Sequence, residues 1–401
     1  MDLRWQYQRR KHQKRKAEVV ATLHGNFTQQ APILAHDVML LGVRIMFVVI
    51  VAGITVVPLS RLTENQGKMP TKHLPIAIDA MGGDNAPGAI IEGAQLAHDL
   101  GIPVLLVGTS QALKEVEGIP IVEASEVIEM DDDPGQSVRR KKDSSLVRAA
   151  ETVRDGEASA MISAGNTGAT MASALLRMGR LKGVSRPAIA TPIPVLDDGH
   201  PVVLLDSGAN SECQPEWLLQ FAEMGAVYAR DRFHIDKPKV GILSIGEEAG
   251  KGNPLVKEAF ALLDMQDWQK RSSAQFIGNV EGRDLMSGVA DVVVTDGFTG
   301  NVALKTLEGT AKAIVTALLG AFSASPEAER GAGLLAPALL PLYEKLDPDS
   351  VGGAVLLGVK GIAMVSHGSS SAKAILNAVQ TAHELVIDGH VENLQSIISA
   401  K

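Results

Sequence analysis

Residues 292–301 read Val-Val-Val-Thr-Asp-Gly-Phe-Thr-Gly-Asn. A short, continuous apolar run suits a β-strand covered on both faces, and the glycine-punctuated turn after it opens a helical stretch, Asn301–Leu319. The unit recurs along the chain. Candidate strands are Ile76–Ala80, Val104–Val107, Ala160–Ser163, Val202–Leu205, Val240–Ser244 and Val292–Thr295. Candidate helices lie between them at Ala89–Leu100, Ser145–Arg154, Gly168–Arg180 and Pro215–Arg230, the last with proline in its first turn, where a missing N–H costs nothing. Alternation of this kind predicts an α/β fold, a parallel sheet with helices on both faces. Beyond Leu319 the chain is Ala/Leu/Pro-rich, with no strand expected until Ala363, which predicts a helical insertion over about 320–350.

The whole chain has 401 residues, 45% hydrophobic, 21% charged and 3% aromatic, which excludes a disordered or fibrous protein. Its single cysteine, Cys213, rules out an intrachain disulfide framework and a cysteine-based zinc cluster, and fits a reducing cytosol. Residues 1–73 carry 11 Lys+Arg against 4 Asp+Glu, whereas the remainder is net negative by 15, a balance that points away from nucleic acid. The basic tract Arg9, Arg10, Lys11, Lys14, Arg15, Lys16 precedes an apolar stretch, Val38–Leu59, broken by Arg44. The charge-free part, Ile45–Leu59, would make about 22 Å of helix against a hydrocarbon core of about 30 Å, and the basic tract before it would leave everything after Leu59 outside the cell. A signal peptide fits no better, because the region before the apolar run is too long. We expect residues 1–68 to be an extension ahead of a start at Met69, disordered or misassigned, with a membrane anchor as the alternative, and 69–401 to be the α/β domain.

Five expected strands end in glycine-rich turns: Asp79 to Asp84, Ser163 to Gly168, Asp206 to Asn210, Ser244 to Asn253, and Thr295 to Asn301. In a parallel sheet all carboxyl ends share one edge, so these loops are expected to converge on one crevice. The second and fifth share the pattern [Ser/Thr]-x-Gly-x-Thr-Gly at a helix start, where free N–H groups favour an anion; two such sites suggest phosphate. Glycines also merely terminate strands, but five such turns in one chain favour a functional reading. The candidate phosphate- or substrate-binding residues are Asp79, Gly82, Gly83, Asp84, Ser163, Gly165, Asn166, Thr167, Gly168, Asn210, Asn253, Asp296, Gly297, Thr299 and Gly300. Nucleotide fingerprints are missing: Gly246-Glu-Glu-Ala-Gly-Lys-Gly252 is one residue short of a P-loop, and Gly331-Ala-Gly-Leu-Leu-Ala336 follows no strand. Asp131–Asp133 read as a solvated turn rather than a metal site, His367 as structural, and Cys213 as a packed thiol rather than a nucleophile. Arg139, Arg140, Lys141 and Lys142 form the one four-residue basic run in the acidic part, a surface that could dock an acidic partner.

Together, Ile-Ala-Ile-Asp-Ala-Met-Gly-Gly-Asp at 76–84, Arg-Arg-Lys-Lys at 139–142, Ser-Ala-Gly-Asn-Thr-Gly at 163–168, Lys-Gly-Asn at 251–253, Phe-Ile-Gly-Asn-Val-Glu at 276–281 and Val-Val-Thr-Asp-Gly-Phe-Thr-Gly-Asn-Val at 293–302 closely resemble the bacterial phosphate acyltransferases of the PlsX type. The match runs in order from about Leu74 to about His390, and residues 1–68 depart from it. The resemblance implies a Rossmann-like core similar to the phosphotransacetylase and isocitrate dehydrogenase type, usually a homodimer. It implies transfer of a fatty acyl group from acyl carrier protein to inorganic phosphate, giving acyl phosphate for a membrane-bound glycerol-3-phosphate acyltransferase. The implied location is the cytoplasm, at the inner face of the membrane. Lys251 and Asn301 match positions regarded as essential in that family. The chemistry agrees: phosphate is itself the nucleophile and a thioester is already activated, so no cofactor, metal or covalent intermediate is called for. Alternatives are a coenzyme A-dependent phosphotransacetylase-like enzyme and an inactive membrane-surface scaffold.

Overall fold

The computed structural model describes residues 74–196, 199–350 and 352–400. The extension expected at 1–68 lies outside them. Among the described residues, eleven strands form one sheet: β1 (Ile76–Asp79), β2 (Val104–Gly108), β3 (Ile121–Glu123), β4 (Ala160–Ser163), β5 (Ala188–Ile193), β6 (Val202–Leu205), β7 (Lys239–Ser244), β8 (Gln275–Glu281), β9 (Val292–Val294), β10 (Ala354–Leu357) and β11 (Ile362–Val365), in the order β3-β2-β1-β4-β11-β10-β5-β6-β9-β7-β8. The principal helices are α1 (Gly88–Asp99), α2 (Pro134–Arg140), α3 (Ser145–Arg154), α4 (Thr167–Ser173), α5 (Pro215–Phe233), α6 (Pro254–Leu263), α7 (Gly297–Phe322), α8 (Pro326–Leu346), α9 (Ala372–Ile387) and α10 (His390–Ser399).

Strands buried on both faces explain the continuous apolar runs. In β1, Ile76 and Ile78 join a core cluster under α1, α5 and α9, while Ala77 between them joins the cluster on the other face, under α3 and α4. All three side chains are fully buried, as the two-residue period of a strand requires when helices cover both sides.

All six expected strands are present, within a residue or two of their expected ends. Four more strands were not expected, and a fifth, β11, begins at Ile362, where the strandless stretch was expected to end. β3 and β8 are the sheet's two edges. β5 carries Thr191 and Pro192 among apolar residues, and β10 lies in a region read as helical and strandless up to Ala363. The helical insertion is a pair of contacting helices, α7 of 26 residues and α8 of 21, of which α7 begins inside the core and leaves it.

The two unexpected central strands change the geometry of the edge. β10 pairs antiparallel with both β11 and β5, and β5 pairs antiparallel with β6. The group β3-β2-β1-β4-β11 therefore runs opposite to the group β6-β9-β7-β8, and the carboxyl ends of the two groups lie at opposite edges of the sheet. The expectation that five glycine-rich turns leave a single edge is thereby corrected. Turns 79–84 and 163–168 leave one edge; turns 206–210, 244–253 and 295–301 leave the other.

Candidate active site

Three adjacent strands end side by side: Leu205 of β6 and Ile242 of β7 both sit level with Val294 of β9. The loop after each strand is held by a different device. After β6, the buried Asp206 carboxylate accepts from the backbone N–H groups of Ile189, Gly208, Ala209 and Asn210 at 2.7–3.1 Å and from the Asn210 amide at 2.8 Å. Burial pushes this carboxyl above the usual range while those donors pull it back. The Asn210 amide also donates to the Pro187 carbonyl, so Asn210 is a structural strut of the loop.

After β9, α7 starts against that loop. A Cβ on Gly300 would sit 1.9 Å from the Asp206 carbonyl oxygen, and one on Gly297 would sit 2.7 Å from the Asn210 carbonyl oxygen. Only glycine permits this approach, and both glycines are buried against protein rather than open to an anion. Asp296 caps the helix, accepting from the N–H and the hydroxyl of Thr299, each at 2.8 Å. Asn301, one turn in, is exposed beside Gly208.

After β7, Asn279 of β8 donates to the carbonyls of Gly246 (3.1 Å) and Glu248 (2.7 Å), which pins the loop that carries Lys251. The Lys251 stem runs over Gly246, where an added Cβ would meet its Cγ at 2.9 Å. Lys251 is exposed, and Asn253 caps α6 through Val256 N–H at 2.9 Å. Asp206 and Asn279 were not singled out from sequence. Both lay inside motifs already quoted, and only their hydrogen bonds distinguish them.

The other expected loops form a second set. Ser163 donates to the buried Asp79 carboxylate at 2.7 Å, and Gly165 N–H donates back to the Ser163 hydroxyl at 3.0 Å. Gly82 lies so close that a Cβ would reach 2.8 Å from the Gly165 nitrogen. Burial raises the Asp79 carboxyl above its ordinary value, partly offset by hydrogen bonds from Ser145 and Ser163. The loop of Gly83 and Asp84 is tied to 366–370, with Asp84 N–H donating to the Gly368 carbonyl at 2.7 Å. Asn166 caps α4 through Ala169 and donates to the carbonyls of Met130 and Asp132; Gly168 makes room for Pro134, and Thr167 is exposed. Ala209 of the first set packs on the apolar cluster that includes Ala169, so the two sets border one sheet face from opposite edges.

The remaining candidates sort by contact. Cys213 is half-buried, and its thiol is pushed up to about 12, chiefly by burial and then by Asp206, which disfavours the thiolate. Asp133 caps α2, and Asp132 pairs with Lys141 at 2.5 Å. Of the basic run, Lys141 is thus tied down, also donating to the Val127 carbonyl, whereas Arg139, Arg140 and Lys142 are exposed or at the surface. His367 is held by Ser369 at 2.8 Å within its own turn. Among the described residues no group of three His, Cys, Asp or Glu is arranged to hold a metal ion.

A family model described as "Fatty acid synthesis protein" matches residues 74–393. The chain is 48% identical over 334 residues to the phosphate acyltransferase of Elusimicrobium minutum, covering 81% of this chain and 96% of that one. This chain belongs to the phosphate acyltransferase family. The phosphate acyltransferase of Bacillus pumilus is likewise 48% identical over 317 residues, 78% of this chain and 93% of its own. Among solved structures, a phosphotransacetylase from Streptococcus pyogenes superposes with a TM-score of 0.52 at 17% identity, over 79% of this chain and 95% of that one. The EutD phosphotransacetylase from Staphylococcus aureus gives 0.50 at 16% identity, over 79% and 94%. These likenesses show the fold: the expected phosphotransacetylase type of α/β core carries the phosphate acyltransferase sequence.

Proposed function

We propose that the chain transfers a fatty acyl group from acyl carrier protein to inorganic phosphate, with no cofactor. The observation that carries this reading is the placement of an exposed lysine, Lys251, on the loop after β7 and an exposed amide, Asn301, in the helix that starts after the neighbouring β9, both at one edge of the sheet. A phosphate oxygen attacks the thioester carbon, the carbonyl oxygen takes up negative charge, and the carrier thiolate leaves as the carbonyl re-forms. Lys251 offsets the charge of phosphate. Asn301 donates from its amide to the developing oxyanion, an interaction stronger in the transition state than in the ground state.

The acidic carrier protein docks on Arg139, Arg140 and Lys142, a cationic surface near the end of α2. The hairpin of α7 and α8 exposes Ile314, Leu318, Leu334, Leu335, Leu340 and Tyr343, which supports a homodimer contact and a contact with the inner face of the membrane. A membrane glycerol-3-phosphate acyltransferase would consume the acyl phosphate there. Among the described residues no helix is long and apolar enough to cross a membrane.

The test is turnover with phosphate and two palmitoyl thioesters, one on acyl carrier protein and one on coenzyme A. The expected result is acyl phosphate formed with a higher kcat/KM from the carrier protein. Preference for coenzyme A would move the donor, and no acyl phosphate from either would remove the enzymatic reading.

A further inference from the structure

Two of the most exposed apolar side chains of the core lie next to the two candidate catalytic residues. Ile245, the first residue after β7, is 81% exposed at the start of the loop that carries Lys251. Phe298, in the first turn of α7, is 67% exposed. Val302 is 52% exposed and stands one turn further on.

Helical spacing puts Phe298, Asn301 and Val302 at i, i+3 and i+4, on one face of α7. The opposite face, Ala303, Leu304 and Leu307, packs on the core cluster of Leu204, Leu243 and Val293. Phe298 and Val302 therefore point away from the core on either side of Asn301. β7 and β9 are hydrogen-bonded neighbours; Ile242 pairs with Val294, so β7 runs two residues past the end of β9 before Ile245 leaves the same edge as the start of α7. One turn beyond Val302 the face turns polar, with Lys305 paired to Glu308 at 2.8 Å. The result is a short apolar strip that begins at the reacting groups and has a charged end.

We infer that Phe298, Val302 and Ile245 form the track for the first methylenes of the substrate's fatty acyl chain, and so set chain-length preference. The inference rests on the acyl-transfer reading above. A thioester carbonyl held at Asn301 places the carbons after it beside Phe298 and Val302 on the same helix face, with Ile245 leaving the neighbouring strand at that edge. Burying an apolar chain there favours long substrates in proportion to the area covered.

The test compares kcat/KM for palmitoyl and butyryl thioesters on the same carrier protein, with inorganic phosphate and the full chain. Phe298→Ala should lower the palmitoyl-to-butyryl ratio about tenfold, the order expected for losing burial of one large apolar side chain. Ile245→Ala should lower it in the same direction, and Phe298→Leu should restore most of it. Both positions are exposed, so thermal unfolding should not move. An unchanged ratio, or equal loss for both thioesters together with a changed oligomeric state, would overturn the inference and mark the strip as a contact between copies. Failure of the unaltered chain to make acyl phosphate from either thioester would instead overturn the acyl-transfer reading, and the track with it.

Discussion

At the residue scale, Lys251 and Asn301 are exposed side chains on well-anchored backbone, so each can be removed without disturbing the core. Lys251→Ala and Asn301→Ala should each lower turnover by about 10²–10³, the usual loss of one preorganised group at a developing charge, with an unchanged unfolding midpoint. Near-normal rates in either variant would take that residue out of the mechanism. Asp79 behaves differently because it is buried. Its folded carboxyl titrates above the unfolded value of about 3.9, so its contribution to stability is present below that pH and is lost as pH rises through the raised folded value. The stability of the native chain relative to Asp79→Asn should thus fall from pH 4 to pH 7 in urea unfolding. A difference that stays constant or grows over that range contradicts a raised carboxyl. Three residues expected to hold substrate, Asn166, Asn253 and Asp296, are occupied as helix caps. An asparagine in such a position serves an anion site and an N-cap equally well, and only the bonds it makes separate the two, whereas the Asp296 carboxylate suits the cap and repels an anion.

At the element scale, α8 buries none of its side chains and keeps Pro337 and Pro341 within the helix. Beyond its contact with α7, it leaves Leu334, Leu335, Leu340 and Leu342 exposed. Replacing Leu335 and Leu339 with Glu should release the chain from anionic liposomes while turnover on soluble substrate is retained. A chain starting at Met69 suits this measurement, since it removes the apolar run Ile45–Leu59 from the assay. Retained liposome binding in a folded variant would assign α8 to the subunit contact alone. The hairpin itself was legible as a helical, proline-containing, Ala/Leu-rich segment. That it begins at Gly297, inside the candidate site, was not, because a helix that starts in a glycine turn and runs on past the core shows no break in its pattern.

At the scale of the whole molecule, the family match covers 74–393, and the described residues begin at Leu74. The chain beginning at Met69 should therefore fold and form acyl phosphate at the rate of the full chain, measured side by side at equal concentration. A large loss would give residues 1–68 a part in the activity. The sheet's two groups of strands also bear on design at this scale: a substitution in turn 79–84 and one in turn 295–301 act from opposite edges, so their effects on stability should be read separately.

The sequence by itself determined the α/β class, six of the eleven strands, the turn residues and the family, because strand-turn-helix units are local patterns written in consecutive residues. The direction of the strands was decided only in three dimensions. β5 carries Thr191 and Pro192 among its six residues, β10 is a four-residue strand set behind Gly352 and Gly353, and their antiparallel pairing reverses half the sheet. Nothing local in either strand encodes its neighbour, since pairing is set by which distant faces bury together. For that reason the grouping of Asp206, Asn279, Lys251 and Asn301 at one edge, and of Asp79 and Ser163 at the other, belongs to the tertiary structure.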